Sequence, residues 1–564
     1  MSLTTIVSLS LEDFRNSMTA QETDSRKRAR TSAPIAECFY PDLLSAKNSQ
    51  ILAKEHAESK PYLYCKIDKL IDEQLLRDVR EEILTKLHFT VKETDIYKVC
   101  QTGDLANLDG LPAHELAQLS SLFRLRNAIY SEEFRQFISD VTGCGPLSSS
   151  KTDLSTNIYR SGSHLLNHDD VIGSRRVSYI LYLTDPDEPW VPEDGGALEL
   201  YPVLEKGTPA VSPSVSIPPK WNQMVFFTVQ PGHSFHSVEE VIVDKPILSV
   251  SGWFHIPQEG EVGYQAEKQI GEAPSSLQQL QESADALNPF KLYKEELEPE
   301  ALDGLLEEDI TELSKWLNVK YLNINILRQV SEKFVEESSI QLVDFLNEEF
   351  AKELLEATLK ADEQDGLTLS KIPKHGTGER GQWKAVGPAH KHRFLAIDDT
   401  LPEDEEQSTK FLGQLQRSLF PSLAFRRWLA VVTQLVTKGY RGYARRMRPG
   451  LDYTLATADS CRSILDATLC LATSPNPKAV DLWESDEVGG YECYMAQDSD
   501  EDPAVYKSAA PDEDGALLTI SAGCNVLSLV LRDEEVMKFT KYISSLAPGS
   551  RWDVAFEYEL SPEE

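Results

Sequence analysis

A series of short strands, each bounded by Gly, Pro or Asp, runs from "STNIYRSG" (155–162) to "ILSVSGWFHIP" (247–257) and then recurs in the same order near the C-terminus. "RVSYILYLTDP" (176–186) resembles "SILDATLCLATSP" (463–475), and "DGGALELY" (194–201) resembles "EVGGYECY" (487–494). "NQMVFFTV" likewise pairs with "CNVLSLVLRD", and "LSVSGWFHI" with "WDVAFEYEL". Regular short strands with turn residues between them predict a sandwich or barrel, and four ordered matches predict that it is duplicated. Each series follows helical sequence. "YLYCKIDKLIDEQLLRDVREEILTKL" (62–87) reads as a strand and then a helix, and 116–143 as a helix. "SEKFVEESSIQLVDFLNEEFAKELLEATL" (331–359) is predicted helical before the second series. The expected fold is mainly β with flanking helices, in two copies.

A chain of 564 residues exceeds one hydrophobic core and fits two large domains. The expected divisions are a disordered tail over 1–38, a catalytic domain over 39–258, a polar linker over 259–290 and a second domain over 291–564. No apolar run reaches the roughly 20 residues of a membrane span, and the N-terminus lacks the pattern of a secretory signal. The eight cysteines form no C-x-x-C pair, which suits reduced thiols of cytosol or nucleus. A net charge of −35 disfavours direct nucleic-acid binding and suits a basic protein partner. Against that acidic trend, "SRKRARTS" (25–32) reads as a nuclear-import signal, so nucleus and cytoplasm are the expected locations.

Chemistry concentrates in "LLNHDDVIGSRRVSYILYL" (165–183). Side chains two apart on a strand share a face, so His168 and Asp170 are expected to converge while Asp169 points away. An imidazole and a carboxylate with a distant third ligand is the arrangement that holds non-haem Fe(II) with open positions. "QPGHSFHSVEEVIV" (230–243) offers His233 and His236. His236 is favoured because Phe235 and Val238 give it a strand-like register, whereas His233 adjoins the Pro231–Gly232 turn. His164 is expected at the surface or behind the ligands. Trp253 and Phe226 are expected in the pocket or the core beneath it. In the second copy "DYTLATADS" (452–460) stands where the H-x-D would be and has no histidine, so that copy is expected to be metal-free. The His390–His392 "HKH" reads as a polar loop, and the acidic runs "DDTLPEDEEQ" and "DSDEDP" as solvated loops or protein contacts.

On "LLNHDDVIGSRRVSYILYL", "DGGALELY", "SFHSVEEV" and "LSVSGWFH", the chain from about residue 40 onward resembles the two-domain Fe(II)/2-oxoglutarate dioxygenases that hydroxylate a proline in a decoding-centre ribosomal protein. The resemblance implies tandem double-stranded β-helix (jelly-roll) domains, the first catalytic and the second degenerate and used for protein contact. It implies Fe(II) on His168, Asp170 and His236, 2-oxoglutarate beside Tyr159 and Tyr182, and ascorbate in support. It also implies a basic ribosomal protein as substrate, links to translation termination and oxygen-responsive regulation, and translation or transcription regulators as partners of the second domain. In that family an Arg-x-Ser before the last strand meets the far carboxylate of 2-oxoglutarate, and this chain has Ile247-Leu248-Ser249 there. Either another cation such as Arg176 or Lys245 reaches in, or activity is impaired; impairment ranks first. Two other readings stay open. One is an oxygenase-derived binding protein without turnover, and the other a cupin-like small-molecule enzyme with the same metal ligands.

Overall fold

The computed structural model describes residues 35–561 apart from 104, 106–107, 109–111, 266–287, 296, 298, 368–370, 403–405, 458–461, 476–478, 497–515 and 535. The basic stretch 25–32, the acidic run 498–503 and the middle of the expected linker lie outside the described residues. Residues Ile35–Cys38, expected in the tail, form a 3-10 turn with Cys38 buried in the first core, so ordered structure begins before residue 39.

The first curled sheet comprises β1 (Tyr64–Asp68), β2 (Thr90–Glu93), β3 (Tyr97–Gln101), β4 (Thr152–Tyr159), β5 (His164–His168), β6 (Arg175–Tyr182), β7 (Leu198–Leu200), β10 (Val215–Ile217), β11 (Gln223–Thr228), β12 (His236–Val238) and β13 (Ile247–His255). A separate ribbon joins β8 (Val203–Glu205) to β9 (Thr208–Pro209). The second sheet comprises β14 (Lys291–Leu292), β15 (Ser339–Val343), β16 (Trp383–Val386), β17 (His392–Ile397), β18 (Thr437–Met447), β19 (Tyr453–Thr457), β20 (Ile464–Leu471), β21 (Glu492–Ala496), β22 (Ala516–Ile520), β23 (Cys524–Arg532), β24 (Val536–Thr540) and β25 (Arg551–Leu560).

Strand order in the first is β1-β11-β6-β13-β4-β3-β5-β12-β7-β10, with β2 beside β3. In the second it is β15-β23-β20-β25-β18-β17-β19-β24-β21-β22, with β16 beside β17. The two orders superpose strand for strand, and each of the four sequence matches joins counterparts: β6 with β20, β7 with β21, β11 with β23 and β13 with β25. "DYTLAT" forms β19, the counterpart of β5.

The strands are apolar on both faces because both are covered. On β11, Met224 and Phe226 join a core shared with the helices Glu73–Lys86, Ser120–Ile129 and Glu132–Thr142, while Val225 and Phe227 turn inward with Tyr159, Tyr182 and Ile247. Phe226 is therefore part of the core. Local signals set the helix ends: Ser131 caps Glu132–Thr142 by accepting the Phe134 N–H, and Gly143 ends it at φ +67°. The segment expected to be helical over 331–359 is instead helix, strand and helix. β15 interrupts it, because Ile340 and Leu342 alternate with exposed neighbours and pair along β23.

The two barrels meet through buried polar groups. Glu240 of the first accepts hydrogen bonds from Ser544 Oγ (2.5 Å), the Ser545 N–H (2.6 Å) and Tyr542 OH (3.3 Å) of the second. Glu199 accepts from His375 Nε2 at 2.6 Å, and Arg393 donates to the other ring nitrogen at 3.0 Å. A buried acceptor stripped of such partners costs about 1–3 kcal/mol, and more when it is charged, so the interface is part of the first barrel's own stability. His164, expected at the surface or behind the ligands, is buried at this interface with its ring 4.2 Å from that of Tyr542. His390 is likewise buried, 5.2 Å from the Phe235 ring, rather than in a polar loop.

Burial pushes both imidazoles down to about 3. Lys541 and Lys98 add to the effect at His164 against Glu93, and Lys391 and His392 add to it at His390. Above the unfolded pKa of about 6.5 neither group affects stability. Below it the unfolded chain takes up protons that the folded chain refuses, so stability falls as pH drops from about 6.5 toward 3. Each imidazole is expected to cost about 2 kcal/mol at pH 5. Melting temperatures measured between pH 8 and pH 5 should fall, and His164→Phe with His390→Phe should flatten that fall.

Candidate active site

His236 on β12 stands directly opposite His168 on β5, with ring centroids 4.2 Å apart. Asp170 completes the group, with carboxylate oxygens 3.4 Å from His168 Nε2 and 3.6 Å from His236 Nε2. Asp170 does not arrive by strand alternation. β5 ends at His168, and Asp170 takes φ +60°, a left-handed turn that Asp tolerates better than most residues. Asp169 does face away, where its carboxylate accepts the Gly232 N–H at 3.4 Å and its carbonyl accepts Ser234 Oγ at 2.9 Å. It thereby ties the turn that carries His236 to the end of β5.

Each imidazole points its Nδ1 at a backbone carbonyl, Leu166 for His168 and Ser234 for His236, both at 2.9 Å. A carbonyl cannot donate, so Nδ1 carries the proton and Nε2 keeps its lone pair for a metal. Asp170 is aligned by Ser178 Oγ at 2.8 Å and Trp253 Nε1 at 3.2 Å, with Arg175 at 3.9 Å. Burial would raise its pKa, but His236, His168 and Arg175 override that and hold it well below the usual range. His236 is pushed down to about 4 by burial and by His168; at His168 burial works downward but Asp170 prevails and raises the pKa. Candidate ligand atoms of His168, Asp170 and His236 all lie within 4.8 Å of one another, the one such group among the described residues. Two imidazoles presenting Nε2 and an ionised carboxylate on one side of an open site fit a ferrous ion, whose binding would displace any proton on His168 Nε2.

The group sits in a cavity of about 610 Å³ whose lining includes Tyr159, Tyr182, Gly196, Ile247, Ser249 and Trp253. Tyr182 OH is buried without a hydrogen-bond partner, as is Tyr62 OH in the same apolar cluster. Burial raises the Tyr159 and Tyr182 phenols well above their ordinary range, so both are donors at neutral pH. The Tyr182 hydroxyl, without a partner on a residue that lines the cavity, fits an anionic guest.

Cations lining the cavity among the described residues are Lys92 and Arg175. Lys92 donates to Gln101 at 2.9 Å, and Arg175 stacks 3.5 Å over Trp253. The expected substitutes fail. Lys245 is bound to Asp194 at 2.7 Å, Arg176 faces Cys144, and neither lines the cavity. Ile247 is packed so that a Cβ on Gly196 would lie 2.3 Å from its Cδ1. His233 is outside the ligand group, within the turn as its neighbours imply.

The sequence alone does not single out Ser178, Gly196 or Tyr62. Ser178 is within its reach, since it shares a face of β6 with Ile180 and Tyr182. Gly196 belongs to the quoted "GG", but its proximity to Ile247 is a long-range contact.

A curled antiparallel sheet holding a His-x-Asp…His group in its mouth defines a non-haem Fe(II), 2-oxoglutarate-dependent oxygenase. Residues 154–255 match the 2OG-Fe(II) oxygenase superfamily, and residues 308–564 match the family described as oxoglutarate and iron-dependent oxygenase degradation C-term. The chain is 38% identical over 505 residues to the prolyl 3,4-dihydroxylase OGFOD1 of Ostreococcus tauri, covering 88% of this chain and 95% of that protein. It is 29% identical over 531 residues to the prolyl 3-hydroxylase OGFOD1 of Xenopus laevis, covering 89% and 88%. The chain belongs to the OGFOD1 family of prolyl hydroxylases. Among solved structures, a Pseudomonas putida prolyl-4-hydroxylase matches 37% of this chain and 98% of its own at 21% identity, with a TM-score of 0.26.

Removing the hydrogen bonds to Asp170 with Ser178→Ala and Trp253→Phe is expected to weaken Mn(II) binding by roughly 10–100-fold. An electron paramagnetic resonance titration of free Mn(II) measures it.

Proposed function

We propose that this chain hydroxylates a prolyl residue in a basic ribosomal protein, with Fe(II) held by His168, Asp170 and His236 and 2-oxoglutarate received beside Tyr159, Tyr182 and Ser249. The observation that carries the reading is the three-ligand group in a cavity that is also lined by Tyr182, whose hydroxyl has no hydrogen-bond partner. Bound there with O₂, iron and 2-oxoglutarate supply an oxidation able to place oxygen on a prolyl carbon.

The protein's part is to bind, orient and keep water out. The Leu166 and Ser234 carbonyls hold the imidazole tautomers, and Ser178 and Trp253 fix the carboxylate. Ile180, Val238 and Ile247 make the inner wall apolar. The hydroxyls of Tyr159, Tyr182 and Ser249 are the groups offered to the co-substrate's carboxylate. A charge of −35 draws a basic substrate. Ascorbate as a supporting reductant, nuclear and cytoplasmic residence, a role in translation termination and oxygen-responsive regulation, and regulators bound by the second barrel complete the reading.

Ile247 favours a second reading, a catalytically impaired regulator. Without a guanidinium the far carboxylate of 2-oxoglutarate has neutral hydroxyls alone, and a missing buried charge partner costs about 3–5 kcal/mol. Incubating the full chain with 2-oxoglutarate and a prolyl peptide from a decoding-centre ribosomal protein should add the mass of one oxygen or more to the peptide, with matching succinate. Ile247→Arg should lower the KM for 2-oxoglutarate by about 100-fold or more. Absence of peptide oxidation even in Ile247→Arg would leave the regulator reading standing.

A further inference from the structure

The β2–β3 hairpin forms one wall of the catalytic cavity, to which it contributes Lys92, Ile96, Tyr97, Val99 and Gln101. Gln101 reaches across to Asn157 Oδ1 at 2.9 Å, and Asn157 donates to Ser251 Oγ at 2.7 Å, so the wall continues as a polar ladder along the cavity floor. Its own barrel holds the hairpin lightly. β2 pairs only with β3 among the described strands, and β3 meets β4 through Cys100 and Gln101 and β5 through Tyr97 and Lys98.

The turn between the two strands is fastened by the other barrel. Lys541 is buried, pairs with Glu93 at 3.1 Å and donates to the Thr94 carbonyl. Asp95 accepts the Ala456 N–H at 3.0 Å, and Ile96 packs with Leu166 against Tyr453, Leu455 and Tyr542. An edge hairpin with few bonds to its own sheet is a low-stability unit, and these contacts add an ion pair, two hydrogen bonds and an apolar patch at its free end.

We propose that the second barrel sets the shape of the substrate cleft by pinning this hairpin, with Lys541 as the positioning residue. This rests on the peptide-substrate reading above. Lys541 touches neither the ligand group nor the co-substrate pocket, so it acts on peptide binding and leaves the oxidation itself unchanged.

Two measurements on the full chain decide it. In Lys541→Met, amide hydrogen exchange over residues 90–101 should quicken by about 10-fold, with β6 and β13 unchanged, and Lys541→Arg should restore protection. With the ribosomal prolyl peptide, Lys541→Met should raise the peptide KM by about 10-fold while kcat and the KM for 2-oxoglutarate stay within about twofold. If Lys541→Met fails to fold, Glu93→Gln with Asp95→Asn loosens the same turn from the hairpin side and should give the same exchange. Unchanged exchange over 90–101, or equal quickening in β6 and β13, overturns the proposal. If wild-type protein leaves the peptide untouched, the substrate reading fails, while the exchange result still decides whether Lys541 pins the wall.

Discussion

A carboxylate removed from water costs several kcal/mol unless a cation or a set of donors meets it, and both barrels are organised around that requirement. In the first, Asp170 lies between two imidazoles, a serine, an indole N–H and a nearby guanidinium. The same region of the second barrel is filled with paired charges. Lys538 on β24 occupies the register position of His236 on β12, within 3.7 Å of both Asp466 and Glu492. Arg445 and Arg551 meet Asp553, Arg532 meets Asp466 and Glu557, and Arg441 also meets Glu557. One strand order thus supports two interiors, one with ligand lone pairs facing a cavity and one whose charges satisfy each other.

How much of this the sequence reveals depends on the range of the interaction. Strand repeats are legible because alternation, turn residues and order are local or ordered along the chain, and four matches are enough to place every counterpart strand they name. His168 and His236 are legible because each sits in a strand with a recognisable register. The left-handed turn at Asp170 is not, because strand alternation alone would bring that residue to the same face, and neither is the Asp169 brace, whose partners Gly232 and Ser234 come from far along the chain. β15 is hidden for a related reason: its sequence lies between two strong helices, and pairing with β23, far along the chain, decides its conformation. His164 and His390 look peripheral in the sequence because nothing local signals a domain interface.

The position of Ile247 gains meaning from the duplication. Ile247 opens β13 as Arg551 opens β25, and each sits opposite the last residue of a counterpart strand, Tyr159 on β4 and Met447 on β18. In the second barrel that guanidinium is fully engaged by Asp553, Glu492 and the Gly490 carbonyl. Gly490 corresponds to Gly196, the residue packed against Ile247. The chain therefore keeps a cation at this place where protein carboxylates require one, and lacks it where the carboxylate would belong to a small molecule. What the first barrel offers at this place is hydroxyl groups and apolar enclosure, which would hold a carboxylate more weakly than a bidentate ion pair and be less demanding of one particular carboxylate.

The second barrel, in which the described residues form no metal-ligating group, still has reason to persist. Four acidic side chains of the first barrel, Glu93, Asp95, Glu199 and Glu240, find donors on the second, and two of its aromatic or histidine side chains, Phe235 and His164, pack there. Phe235 and Ser237 flank His236 directly, and Ser237 donates to the same Glu199 that His375 holds. The second barrel therefore braces the strand that carries the distal histidine on its outer side. Losing it would expose apolar surface and strip a partner from the buried Glu199, which Ser237, one residue from the ligand, also holds, and this couples its docking to the geometry of the site.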